Sequence, residues 1–176
     1  MRLLFEMDKK DYQQGLPVFS RPSVRAIILR DGKIGMVHSL KYNYYKFPGG
    51  GMESGETREQ TLIRETLEEA GLQVLPASIR EYGYVHRVQK GEGEEIFVQD
   101  NYYYFCGVWP QRSAQRLDDY EAQERFTLEF IAPERAIAAN RLPGHGPKDP
   151  VMIEREARVL QLLIAEGYLQ ADSEAL

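Results

Sequence analysis

Three glutamates, Glu65, Glu68 and Glu69, stand at i, i+3 and i+4 in a stretch whose apolar spacing predicts an α-helix. On a wheel of about 100° per residue, Leu62, Thr66, Ala70, Ile63 and Leu67 form one stripe to be buried, and the three acids fall on the opposite face. Neighbouring carboxylates on a helix repel, by about 0.2–0.5 kcal/mol for each pair. Arg64 offers the only i, i+4 base, to Glu68, and in the less favourable order with the base first. Two readings follow. One is a solvated acidic face; the other is a divalent-cation site, because hard cations such as Mg2+ take clustered carboxylate oxygens.

The residues leading into this helix carry a second chemistry. Positions 48–55 contain Gly49, Gly50, Gly51 and Gly55 and run directly to the helix start. Glycine permits left-handed turns and close approach of the backbone to a ligand, and a helix N-terminus presents unpaired N–H groups that suit phosphate. The alternative is a tight turn with no ligand. No Gly-Lys-Ser/Thr follows, so this is not a Walker loop.

Elements on either side must hold these residues in place. Thr57 and Gln60 have the spacing of a capping box, and Gly71 stands where a helix end takes a left-handed residue. Upstream, strands are predicted over 24–29 and 34–38, joined by an Asp31-Gly32 turn, and over 44–47, stopped by Pro48. Downstream, long strands over 79–88 and 96–108 flank an acidic loop, and 125–132 is a last strand. Pro133 can open a short helix, and 141–150 reads as a loop. Asp149 caps a terminal helix, 149–167, with Pro150 at its first position and Ile153, Ala157, Leu160 and Ile164 at helical spacing. The irregular alternation of strand pairs and helices predicts one mixed sheet with helices packed on it. Residues 1–23 are a lead-in, in which 2–6 is a candidate edge strand through which a homodimer could pair.

The 176 residues amount to about one domain. With 22 basic against 27 acidic residues, the net charge of −5 argues against long nucleic acid as the partner. Cys106 is the only cysteine, which excludes an internal disulfide and fits a reducing compartment. The N-terminal apolar run is too short for a signal peptide, and no run reaches the length of a membrane span. The expectation is a soluble, cytoplasmic protein without a membrane partner.

Taken together, Gly50, Glu56, Arg64, Glu65, Glu68, Glu69 and Gly71, closed by Leu72, resemble the Nudix box. Thr66 departs from that pattern, which prefers a bulky aliphatic residue; it lies in the buried stripe and leaves the acids intact. The lead-in Phe47-Pro48-Gly49, the two strands before it, and the late strand and helices are similar to the family as well. The resemblance thus extends over 24–167. It implies an α+β fold, an α/β/α sandwich around a mixed, twisted sheet, in a single domain over 1–176 with its core in 24–140. It also implies Mg2+-dependent hydrolysis of a nucleoside diphosphate joined to another group, with Mn2+ as a substitute ion. The partner is then a small nucleotide, a nucleoside triphosphate being one candidate.

By the same resemblance Glu65, Glu68 and Glu69 are the metal ligands, with the Gly49 carbonyl as a backbone ligand. Arg64 orients Glu65 or meets phosphate, Glu56 braces the loop–helix junction, and Gly50 and Gly51 lie against the substrate. Members of the family often add an acid from a loop before the last strand. Glu121 and Glu124 are the candidates, Glu121 first, against the reading of residues 118–124 as a solvated loop. Tyr42, Tyr44, Tyr45 and Tyr102, Tyr103, Tyr104 read mainly as packing residues. His38, His86 and His145 lack ligand spacing, and Cys106 sits within a strand. Two other classes share the fold: a ligand-sensing regulator without activity, and an isomerase of isoprenoid diphosphates with a catalytic cysteine. The first commonly loses box glutamates or carries a DNA-binding domain; Cys106 is not placed for the second. Hydrolysis at RNA 5′ ends is a further variant, against which the acidic balance counts.

Overall fold

In the computed structural model, which describes residues 1–170, six strands precede the first helix. They are β1 (Leu3–Asp8), β2 (Val18–Ser20), β3 (Ser23–Ile27), β4 (Leu29–Arg30), β5 (Lys33–Ser39) and β6 (Tyr44–Lys46). Then follow α1 (Arg58–Ala70), β7 (Leu72–Val74), β8 (Arg80–Lys90), β9 (Ile96–Phe105), β10 (Val108–Arg112) and α2 (Asp119–Glu124). The chain closes with β11 (Phe126–Ile131), α3 (Pro133–Asn140) and α4 (Pro150–Ala165). The end of the expected single unit, 171–176, lies outside the described residues. Among the described residues no helix is long and apolar enough to cross a membrane.

Among the described residues the strands form three hydrogen-bonded sheets where the sequence predicts one. In the largest, β8 and β9 pair antiparallel, β1 runs parallel to β8 at one end, and β2 and β3 run parallel to β9. A second sheet sets β5 between β11 on one side and β4 and β6 on the other, all antiparallel. The third is the short antiparallel pair β7–β10. Two expected strands are divided, and backbone hydrogen bonds explain why. The 24–29 run breaks at Ile28, whose carbonyl accepts Gly35 N–H at 2.8 Å, so β3 serves one sheet and β4 the next. The 96–108 run breaks after Phe105. Gly107 receives Leu75 N–H on its carbonyl at 2.9 Å and gives its own N–H to Ser78 Oγ at 2.8 Å, which directs β10 toward β7. Cys106 therefore lies just past the strand.

The two-residue alternation of β3 divides the interior between two helical layers. Val24, Ala26 and Ile28 pack with Leu62, Ala70 and Leu72 on the α1 side. Ile27 faces the other way, into a cluster with Phe47, Tyr103, Val159, Leu160 and Leu163 under α4. Helices thus cover both faces of the strands, as expected of the α/β/α sandwich. Along α4, Ile153, Ala157 and Leu160 are buried as their spacing predicts; Arg155 and Glu156 are buried as well, which periodicity did not signal.

Candidate active site

The glycine loop is laid against β3 as if it were another strand. Val24 N–H bonds to Gly50 O at 2.9 Å and Ala26 N–H to Pro48 O at 2.8 Å. Because backbone groups alternate in direction along an extended chain, the intervening Gly49 turns its own N–H and carbonyl away from that partner. Its N–H meets Glu69 Oε2 at 2.9 Å, and its carbonyl accepts from the guanidinium of Arg25. Gly49 has φ +137°, and a Cβ there would run into the Val24 carbonyl; at Gly50 a Cβ would meet the carboxylate of Glu65. Gly49 has no room for a side chain, and one at Gly50 would push the Glu65 carboxylate aside. Behind the loop, Phe47 N–H is held by Glu156 Oε2 at 2.8 Å.

Helix α1 begins where its cap predicts. Gln60 N–H bonds to Thr57 Oγ1 at 3.2 Å, and Thr57 N–H returns to Gln60 Oε1 at 2.8 Å; Gly71 ends the helix at φ +65°. Leu62, Thr66 and Ala70 are fully buried, while Ile63 and Leu67 are only partly so. The acidic face corrects the wheel. Glu69 is 2% exposed, Glu65 is mostly buried, and only Glu68 reaches solvent to any extent. The wheel assumes one covered side. Here α1 packs on β3, β7 and β11, and the loop and α2 close over the side away from the apolar stripe.

Arg64 is the hub of the outer half of the site. Its Nε and Nη2 grip Glu56 at 2.7 and 2.8 Å, and its Nη1 reaches Glu65 at 2.8 Å and Glu68 at 3.1 Å. Glu56 also accepts Thr61 Oγ1 at 2.7 Å and Glu53 N–H at 3.0 Å, so it braces the junction of loop and helix. The paired guanidinium, aided by these donors, draws the Glu56 carboxyl down to about 2. At Glu65 burial dominates and raises the carboxyl pKa, with Arg64 pulling against it.

The inner half contains residues that sequence reasoning did not single out. The ammonium of Lys46, itself buried, pairs with Glu69. Of the two late acids, the structure brings Glu121 to Glu69; burial first, then Glu69, raises its pKa. Glu121 receives Asp118 N–H at 2.9 Å and the Tyr120 hydroxyl at 3.0 Å. Glu124 belongs elsewhere, with the Tyr44 hydroxyl at 2.7 Å and Lys148. Both acids are buried on α2, so the solvated-loop reading does not hold for them. One signal for Lys46 was available: a lone charge inside the Tyr45–Phe47 apolar run of a predicted strand.

The donors of the site, three carboxylates and the Gly49 carbonyl, are all hard oxygens, a set that suits Mg2+ or Mn2+. Among the described residues no three His, Cys, Asp or Glu are gathered closely enough to hold an ion. Instead the carboxylates are held in ion pairs, Glu65 and Glu68 with Arg64 and Glu69 with Lys46. The donor type fits a hard cation. The histidines are engaged elsewhere, His38 with Glu129 and His86 with Asp100, each at 2.7 Å, and His145 with backbone carbonyls. Tyr44, Tyr45, Tyr103 and Tyr104 are buried as packing residues, and burial pushes the Cys106 thiol up to about 12.

Beside the loop opens a cleft of about 580 Å³ whose walls include Arg21, Arg25, Arg87, Lys90 and Arg155, with Phe19 and Phe97. Arg25 connects the two regions, since it lines the cleft and binds the carbonyl of Gly49. Glu92 and Glu95 also line the cleft, and Arg87 and Arg155 are paired with Asp149 and Glu156, which leaves Arg21 and Lys90 as its exposed bases.

The family model for the NUDIX domain matches residues 19–153. An RNA pyrophosphohydrolase from Baumannia cicadellinicola subsp. Homalodisca coagulata is 41% identical over 61 residues, 34% of this chain and 37% of that protein. The match therefore spans little more than a third of that relative's length. A MutT structure from work on the Aliivibrio salmonicida and Vibrio cholerae proteins matches with a TM-score of 0.55 at 19% identity, over 84% of this chain and 99% of that one. A Nudix hydrolase family member from Chromobacterium violaceum gives 0.52 at 19% identity, over 89% and 85%. At such identities the likeness is one of fold.

Proposed function

The chain belongs to the Nudix family, and from that premise we propose that it is a pyrophosphohydrolase that cleaves the diphosphate linkage of a nucleoside 5′-polyphosphate or related nucleotide. Glu65, Glu68, Glu69 and the Gly49 carbonyl would hold the divalent ion, Mg2+ or in its place Mn2+. Such an ion neutralises phosphate charge and makes bound water a stronger nucleophile.

The remaining work falls to the chain's own groups. Arg64 keeps Glu65 and Glu68 oriented while Glu56 anchors the guanidinium. Glu121, raised in pKa and beside Glu69, is suited to accept a proton from the attacking water. The backbone at Gly50 and Gly51, free of side chains, lets phosphate approach. Arg21 and Lys90, the exposed bases of the cleft, would bind the polyphosphate, and Phe19 and Phe97 offer surfaces for a base.

The observation that carries this reading is Arg25, which ties the cationic cleft to the carbonyl beside the acids and so sets polyanion binding next to oxygen donors. The name of the Baumannia relative favours including RNA 5′ ends as substrates. The test is Mg2+-dependent turnover over nucleoside triphosphates, dinucleoside polyphosphates, ADP-ribose, NADH, sugar nucleotides and 5′-triphosphorylated RNA, with Glu69→Gln as blank. Turnover of one class that vanishes in the blank is expected. Silence across the panel from a folded protein would overturn the reading and favour a ligand-sensing role.

A further inference from the structure

Lys46 has a place in the site that the hydrolytic roles above do not use. It projects from β6, is 7% exposed, and lies with its ammonium 5.0 Å from the centroid of the Phe126 ring. Its ion-pair partner Glu69 is 2% exposed, and the other oxygen of that carboxylate takes Gly49 N–H at 2.9 Å. The neighbouring bases are committed elsewhere: Arg64 to Glu56, Glu65 and Glu68, Arg25 to the Gly49 carbonyl, and Lys148 to Glu124. Glu121 adds a second carboxyl beside Glu69. A buried carboxylate needs a compensating charge, and Lys46 supplies it.

A divalent ion that binds Glu69 must displace that ammonium or share the carboxylate with it, and like charges repel strongly where water is scarce. We propose that Lys46 is a positioning residue that holds Glu69 in place as its resident counter-charge and competes with the divalent ion for it. Lys46 thereby keeps the ion affinity of the substrate-free protein below what the carboxylates alone would give. This rests on the reading of Glu65, Glu68 and Glu69 as ligands.

The test is Mn2+ binding to the full, substrate-free chain, read from the EPR signal of free Mn2+. Lys46→Met removes the competing charge and should bind Mn2+ about tenfold more tightly. Lys46→Gln keeps a donor toward Glu69 without the charge, so it preserves the fold if Met does not, and it should also bind more tightly. Lys46→Arg restores the charge and should return the affinity to that of the wild type. Unchanged or weaker binding by the folded neutral variants overturns the role of Lys46. Absence of Mn2+ binding in the wild type and in the neutral variants alike would overturn the ligand reading itself.

Discussion

The carboxylate of Glu156 accepts the backbone N–H of Phe47 at 2.8 Å across 109 residues of sequence, fastening the glycine loop to the terminal helix. The same carboxylate pairs with Arg155 at 2.6 Å, and Arg155 reaches Asn101 at 2.6 Å, all inside the protein. Replacing Glu156 with Leu strands the buried guanidinium and the Phe47 amide. The expected loss is about 3–5 kcal/mol, measured by urea unfolding. Adding Arg155→Met should recover part of it. A single variant as stable as the wild type would show that this network does not hold the loop.

Glu69→Gln should lower turnover about 100-fold or more, since it removes a charged oxygen donor from the centre of the site. Burial against Lys46 adds a structural cost that a solvated face would not have. The expected destabilisation is about 1.5–3 kcal/mol for a charged hydrogen bond reduced to a neutral one. Steady-state kinetics with a thermal melt on the same sample separates the two effects, and wild-type turnover would remove Glu69 from the machinery.

Leu62 is fully buried among Val24, Ala26, Ile28 and Leu72 beneath α1. Leu62→Ala should cost about 2–5 kcal/mol through the cavity it leaves. A calorimetric midpoint equal to that of the wild type would contradict the packing of α1 on β3.

The pairing of Glu56 with Arg64 predicts a particular acid response. Held at about 2 in the folded protein, against an ordinary 4.5, Glu56 contributes stability that is complete above about 4.5. That contribution is lost as pH falls toward about 2, because the unfolded chain takes up the proton first. The stability gap between wild type and Glu56→Gln should therefore be constant near neutral pH and shrink through this window. Urea midpoints over the acid range measure it; a gap that widens with acidity would contradict the pairing.

Features that depend on neighbours in the chain are legible from the residues alone. The capping box of Thr57 and Gln60, the left-handed Gly71 and the side-chain-free loop at Gly49 and Gly50 are local patterns, and each stands where it was read. Tertiary structure alone decided what depends on partners far along the chain. Glu69 is a buried acid because Lys46, 23 residues earlier, meets it. Arg25 reaches Gly49 across 24 residues. Glu156, on a helix read only for its apolar spacing, holds the loop from the other face. Helical and strand periodicities report which side of an element is apolar; they do not report how many sides are covered. Here the loop and α2 cover the side that the wheel left to water, and that enclosure buries Glu69 on the acidic face of α1.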